Sequence, residues 1–124
     1  CEKKAYADAP AAKTGIKVKS VADLRWARRD IKSVALLPQV LAKQEASAAG
    51  CQEAWMHEEG VVTEGGSSTA YIVKGEGASA RIVTRENSTK VLPGCTRAAL
   101  LALVQETGIE VEERAFTLEE AYAA

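Results

Sequence analysis

The sequence predicts a mixed α/β domain. Three observations carry that expectation. Apolar residues alternate with period two in several short runs, and recur at spacings of three and four in two longer ones. These runs follow one another as strand, helix, three or four strands, helix, strand and helix. The chain has 124 residues, 47% hydrophobic and 27% charged, which is one small globular domain rather than two domains or a disordered tail.

Residues 1–14 are rich in Ala, Lys and Pro and read as a loop or linker. Ile16 to Val21 alternates and reads as a strand. Leu24 to Lys32 is dense in charge, with Arg25, Arg28, Arg29, Asp30 and Lys32 around Trp26. From Val34 to Ala49 the pattern is helical: Leu37, Val40, Leu41, Gln44 and Ala48 recur at helical spacing, and Gly50 supplies the stop. Cys51 to His57 is a short mixed strand, and Val61 to Thr63 a brief one that ends near a Gly pair. Thr69 to Val73 is the most β-prone stretch of the chain. Across the turn Gly75-Glu76-Gly77 it meets a hairpin partner, Ala80 to Thr84. Thr96 to Thr107 is an amphipathic helix carrying Leu100, Leu101, Leu103 and Val104, closed by Gly108. Ile109 to Arg114 alternates as an edge strand. Thr117, with Glu120 three residues on, makes a capping box for a last helix.

Sixteen Lys and Arg against seventeen Asp and Glu give a formal charge of −1. That argues against nucleic-acid binding, which rests on a basic face. No apolar run is long enough for a membrane span, and the first residues do not read as a signal peptide. Cys1, Cys51 and Cys95 are odd in number and widely spaced, which fits neither a disulfide framework nor a metal site and points to a reducing, cytoplasmic compartment. With 23 alanines and six aromatic residues the core is thin. The abrupt start at Cys1 and the stop inside a helical pattern at Ala121 to Ala124 predict a piece of a larger protein.

Three segments carry candidate chemistry. Lys32 stands at a strand-to-helix transition beside three arginines, and crowded cations favour the neutral amine that a nucleophile needs. The same residues also read as a solvated charge cluster. In Thr63-Glu64-Gly65-Gly66-Ser67-Ser68-Thr69 a carboxylate leads into a Gly/Ser run, where glycine permits close approach of a ligand. A carboxylate there can pair with a cationic ring nitrogen, or the segment is an ordinary hairpin loop. In Leu92-Pro93-Gly94-Cys95-Thr96-Arg97 a glycine turn opens a helix whose free N–H groups attract anions, with Thr96 as an added hydroxyl donor. The alternative is plain helix initiation. His57, the sole histidine, has no triad spacing and no assigned role, and the Cys95 thiol reads as passive.

Taken together and in this order, Asp30-Ile31-Lys32-Ser33, Leu41 to Ala46, Thr63-Glu64-Gly65 and Leu92 to Arg97 resemble the class IV, fold-type IV pyridoxal-phosphate aminotransferases. The Asp-Ile-Lys-Ser form, with Leu24-Arg25-Trp26 before it, is most similar to the D-amino acid aminotransferase branch. Phe116 to Glu120 matches the family's late helix. The resemblance covers about residues 15–124. It implies that these residues are part of the large C-terminal, cofactor-binding domain of the D-amino acid aminotransferase-like fold, without the small N-terminal domain and without the end of the large one. Where Cys95 stands the family often has isoleucine, where Thr69 stands it commonly has asparagine, and the hairpin over residues 74–90 is a few residues long.

The resemblance also assigns roles. Lys32 forms the Schiff base with pyridoxal 5′-phosphate and, once freed, is the general base that carries a proton between the substrate α-carbon and the cofactor C4′ carbon. Glu64 pairs with the pyridine nitrogen and Leu92 packs on the ring face. Cys95 and Thr96 bind the phosphate through backbone N–H groups, and Arg25 and Ser68 line the site. No metal is implied. The implied reaction is transamination between a D-amino acid and a 2-oxo acid, in a cytoplasmic homodimer with no nucleic-acid or membrane partner. Other class IV activities stand beside it: branched-chain aminotransferase, (R)-selective amine transaminase and aminodeoxychorismate lyase. A non-catalytic fragment or interaction module is the reading from a different class.

Overall fold

Two three-stranded sheets, laid down one after the other, frame the computed structural model, which describes residues 9–124. Each sheet combines one parallel strand–helix–strand unit with one antiparallel strand.

The chain enters through a short helix, α1 (Pro10–Thr14), which starts on proline and ends at Gly15 with φ 70°. A loop is expected here from the sequence, but proline pre-sets the first helical φ and costs no hydrogen bond at that position. The remainder of the expected linker, residues 1–8, lies outside the described residues. Strand β1 (Val18–Ala22) runs parallel to β2 (Glu53–Glu58), in register from Val18 opposite Glu53 to Ala22 opposite His57. Helix α2 (Leu37–Ala48) is the crossover between them, and Gly50 takes the left-handed φ of 72° that ends it. Strand β3 (Val61–Gly65) folds back antiparallel on β2. The turn between them has positive φ at both Glu59 (49°) and Gly60 (83°), the backbone twist that suits a two-residue hairpin.

The second sheet reverses this order. Strands β4 (Tyr71–Lys74) and β5 (Arg81–Thr84) form the expected hairpin, with a 3-10 turn at Gly77–Ser79 between them. Helix α3 (Cys95–Thr107) crosses over and closes at Gly108 in the left-handed region. Strand β6 (Glu110–Glu113) then pairs parallel with β5 at the edge of the sheet. Helix α4 (Leu118–Tyr122) carries the expected capping box, with Thr117 and Glu120 satisfying each other's backbone N–H groups.

Apolar burial falls into two clusters. Val21, Ala42, Ala46, Ala54 and Met56 pack α2 onto β1 and β2. Val62, Ala70, Ile72, Val83 and Phe116 fill the second, with Trp55, Leu118 and Ala121 against them. Trp55 and Phe116 meet edge to face at 6.1 Å. The residues that mark the helical period of α2 are not its buried face: Leu37, Val40 and Leu41 are 67, 56 and 52% exposed. Ala42 and Ala46 face the sheet instead, because small side chains let the helix lie close on two parallel strands. In α3, likewise, Val104 and Arg97 are buried while Leu103 is exposed.

The outer edge of β3 is covered from the far end of the chain. The Val62 N–H donates to the Phe116 carbonyl (3.0 Å), the Leu118 N–H donates to the Gly60 carbonyl (2.9 Å), and Val61 bridges Thr117. Among the described residues no helix is long and apolar enough to cross a membrane.

Candidate active site

Three segments meet at one end of the first sheet. The loop from Asp23 to Leu36 leaves β1 and carries Asp23, Arg25, Arg29 and Lys32. Strand β3 carries Thr63 and Glu64. A strap from Arg85 to Gly94, between β5 and α3, carries Lys90 and Leu92.

Arg25 lies between two buried carboxylates. Its Nε and Nη2 donate to the two oxygens of Asp23 (2.9 and 2.7 Å), a bidentate pair, and its Nη1 donates to Glu64 Oε1. Asp23, whose side chain is wholly buried, also accepts from the Thr63 hydroxyl (2.6 Å) and the Arg25 N–H (3.1 Å), and has Arg29 Nε 3.5 Å away. Burial opposes the ionised form of Asp23. The hydrogen bonds from Arg25 and Thr63 and the Arg25 charge outweigh it, and its carboxyl sits below the usual carboxylate range. For Arg25 too, burial disfavours the charge, but Asp23 and Glu64 hold the guanidinium above its ordinary value. The Leu92 N–H reaches both oxygens of Glu64, Oε1 at 3.2 Å and Oε2 at 3.3 Å. Oε1 therefore serves two donors, while Oε2 takes only the longer share of one and keeps acceptor capacity.

A second arm extends from Asp23. Arg29 Nη2 donates to Glu58 Oε1 (2.6 Å) and Lys90 Nζ to Glu58 Oε2 (2.7 Å), and these two cations hold Glu58 down at about 2. The Arg29 N–H donates to the Thr89 carbonyl (2.9 Å). The loop of Lys32 and the strap of Leu92 are thus stitched together through Arg29.

Lys32 is exposed in that loop and, among the described residues, takes part in no ion pair. The three arginines beside it in sequence are each paired with a carboxylate. Arg25 faces Asp23 and Glu64, Arg28 pairs with Asp30 (2.7 Å), and Arg29 pairs with Glu58, so the positive charges are neutralised locally.

At α3, Gly94 is the N-cap, no side chain caps the first turn, and the first backbone bond runs from the Ala98 N–H to the Gly94 carbonyl (3.1 Å). The N–H groups of Cys95, Thr96 and Arg97 precede that bond and point out of the helix end, beside the exposed side chains of Cys95 and Thr96. Ser68 is engaged elsewhere. Its hydroxyl donates to Glu53 Oε2 (3.0 Å), Ser67 joins it (3.3 Å), and Lys43 Nζ donates to Ser67 (2.9 Å). These bonds latch the Gly/Ser loop onto α2 and β2. His57 accepts the Gly60 N–H at Nδ1 (3.3 Å) and so serves the hairpin turn.

Of the residues singled out from the sequence, Arg25 and Leu92 both touch Glu64. Lys32 shares the loop of Arg25, Cys95 and Thr96 lie three and four residues after Leu92, and the Ser68 side chain is turned to Glu53. Sequence reasoning missed Asp23, Thr63, Arg29, Glu58 and Lys90. The Asp-Leu-Arg triplet at the end of β1 was a signal for the first; the pairing of Glu58 with Arg29 and Lys90 had none. Among the described residues no group of three His, Cys, Asp or Glu is placed to hold a metal ion.

Comparison with known proteins bears on this geometry. The model of the family described as amino-transferase class IV matches residues 2–124. The chain is similar to a D-alanine aminotransferase of Bacillus licheniformis, at 41% identity over 106 residues, which are 86% of this chain and 36% of that protein. It is similar to another of Staphylococcus haemolyticus, at 40% over 105 residues, 85% of this chain and 36% of that one. Among solved structures, it is similar to the branched-chain amino acid aminotransferase of Thermobaculum terrenum in its PLP form, with a TM-score of 0.73 and 27% identity, covering 86% of this chain and 36% of that one. The branched-chain aminotransferase of Thermoproteus uzoniensis with norvaline gives 0.73 and 29%, covering 89% of this chain and 38% of that one. The chain therefore spans about 36% of the length of the curated relatives it matches.

Proposed function

The chain belongs to the class IV aminotransferases, and from that premise we infer that the full-length protein transfers an amino group between a D-amino acid and a 2-oxo acid with pyridoxal 5′-phosphate as cofactor. Residues 15–124 are then part of its cofactor-binding domain. The observation that supports this best is Glu64: a buried carboxylate, aimed by Arg25 and the Leu92 N–H, with acceptor capacity left at Oε2. Branched-chain transamination is the second reading, favoured by the solved structures. At 41% against 29% identity the D-alanine aminotransferase relative is nearer, and the Asp30-Ile31-Lys32-Ser33 form agrees with it.

The residues fit the cofactor. The uncapped first turn of α3 offers three N–H groups to a phosphate, and the helix dipole adds to their pull. Cys95 contributes through its backbone, so its departure from isoleucine removes no donor, and Thr96 adds its hydroxyl. Glu64 can accept the ring N–H at Oε2, and Leu92, fixed by its bond to Glu64, can pack on the ring. Arg25 acts through Glu64. Ser68, held by Glu53, lines the site through the Gly/Ser loop rather than through a free hydroxyl.

Bound there, pyridoxal phosphate supplies a cationic ring that takes up the electron pair released when the substrate α-carbon loses its proton. Lys32 does the work of the chain. Its amine would hold the cofactor and, when free, would move a proton at the substrate α-carbon as general base. Among the described residues no carboxylate pairs with its side chain, which its loop leaves exposed. Glu64 keeps the ring nitrogen protonated, and the α3 N–H groups fix the far end of the cofactor against rotation.

The full-length protein is proposed as a cytoplasmic homodimer. Cys51 and Cys95 are unbridged thiols, as a reducing compartment keeps them, and the exposed Leu37, Val40 and Leu41 on one face of α2 give a partner subunit apolar surface to cover.

The test is made on the full-length protein. It is loaded with pyridoxal phosphate, reduced with borohydride, digested and mapped, with Lys32→Ala alongside. The visible band and the label are expected on Lys32 and absent from the variant. An unlabelled Lys32 refutes the reading. A panel of D- and L-amino acids then decides between the two aminotransferase activities.

A further inference from the structure

Arg25 divides its donors unequally. The edge made by Nε and Nη2, the fork with which a guanidinium grips a carboxylate most firmly, is occupied by Asp23. Glu64 receives the single arm Nη1, at Oε1. Without Asp23 the fork would be free to take both oxygens of Glu64, Oε2 included. Behind Asp23 stands a second cation, Arg29, with Nε at 3.5 Å, itself held by Glu58, which Lys90 also grips. The charged groups around Glu64 are thus Arg25 in contact, then Asp23, Arg29, Glu58 and Lys90 in sequence, with the Leu92 backbone as the remaining donor.

We propose that Asp23 is a positioning residue that claims the bidentate edge of Arg25 and so leaves Glu64 enough free charge, and a free oxygen, to hold a protonated ring nitrogen. The proposal rests on the reading of Glu64 as the ring's partner. Asp23 touches neither cofactor nor substrate and acts only through Arg25.

Asp23→Asn tests it, since the side chain keeps its shape and loses its charge. In the full-length protein loaded with ring-labelled pyridoxal phosphate, heteronuclear NMR of the ring nitrogen across a pH series reads protonation without reference to activity. Asp23→Asn should lower the pKa of the ring nitrogen by about one unit, a tenfold weaker hold on the proton. In an Arg25→Met background the same substitution should change nothing further, because the group it acts through is gone. Thr63→Val is the second variant. It takes the hydroxyl from Asp23 but leaves the carboxylate on Arg25, so it should not lower the ring pKa; should Asp23→Asn fail to fold, Asp23→Ser, which also frees the bidentate edge of Arg25, carries the same expected fall.

Borohydride mapping of the wild-type protein separates the two levels. An unlabelled Lys32 overturns the cofactor reading and the proposal with it. A labelled Lys32 overturns the proposal alone if the Asp23→Asn titration is unmoved, if its shift is the same with Arg25 as methionine, or if Thr63→Val lowers the ring pKa.

Discussion

Arg25 and Arg29 sit four residues apart on one loop, both almost fully buried, with side chains 6 and 4% exposed, and both beside Asp23. Replacing each with methionine should give unequal losses. Methionine keeps most of the buried stem, so the difference is electrostatic. Arg25→Met leaves Glu64 with no cation and only the Leu92 N–H, and leaves Asp23 with Arg29 at 3.5 Å, the Thr63 hydroxyl and the backbone N–H of residue 25. A buried carboxylate stripped of its partner costs about 3–5 kcal/mol. Arg29→Met leaves Asp23 its bidentate pair with Arg25, and leaves Glu58, which is a third exposed, its bond to Lys90 at 2.7 Å. It loses the charged bond to Glu58, about 1.5–3 kcal/mol, and part of that loss is offset because Nε and Nη1, two buried nitrogens without a hydrogen-bond partner, go with it. The expected net cost is about 1 kcal/mol, and the expected gap between the two variants about 2 kcal/mol or more. Urea unfolding of the full-length apo protein, read as a shift of midpoint at unchanged slope, measures both. Equal losses, or a larger loss for Arg29→Met, would refute the view that carboxylates left unpaired, rather than burial of the arginine, set the cost.

Two further outcomes follow from the packing and the charges. Phe116→Ala removes a fully buried ring that meets Trp55 edge to face, and should cost about 3–5 kcal/mol, seen as a lowered unfolding midpoint. Folding lowers the Glu58 carboxyl from 4.5 to about 2 and lowers Asp23 as well; a depressed carboxylate contributes stability above its unfolded value and loses it as pH falls through its folded one. Stability should therefore decline from about pH 5 down towards pH 2, and Glu58→Gln should flatten that decline; an acid profile identical to wild type would contradict it.

Much of the fold was legible because its signals are local. The β4–β5 hairpin announced itself by β-prone runs on either side of a glycine turn, α3 by its period and Gly108, and α4 by Thr117 and Glu120. The buried side of α2 was not legible. Leu37, Val40 and Leu41 and the alanines at 42 and 46 are both apolar sets at helical spacing, and only the closeness of two parallel strands selects the smaller one. The turn at Glu59-Gly60 was missed because glutamate seldom adopts positive φ, and the hairpin register imposes it. In the site, Lys32, Glu64 and the start of α3 stood out only as candidate segments, and their roles came with the family resemblance. The charge network did not stand out, since Arg29 with Glu58 and Lys90 with Glu58 pair across distant segments, and spacing says nothing of such partners.

The clasp of residues 116–118 over the edge of β3 has a kinetic consequence. Within each sheet, strands pair with near neighbours in sequence, so the sheets can assemble early and separately at small loop-closure cost. The bridge from Val61 to Thr117 spans nearly half the chain and encloses the whole second sheet. Its closure entropy is repaid only once both ends are built. The clasp should then be the last piece to form and the first to open, so that weakening it should speed unfolding more than it slows folding.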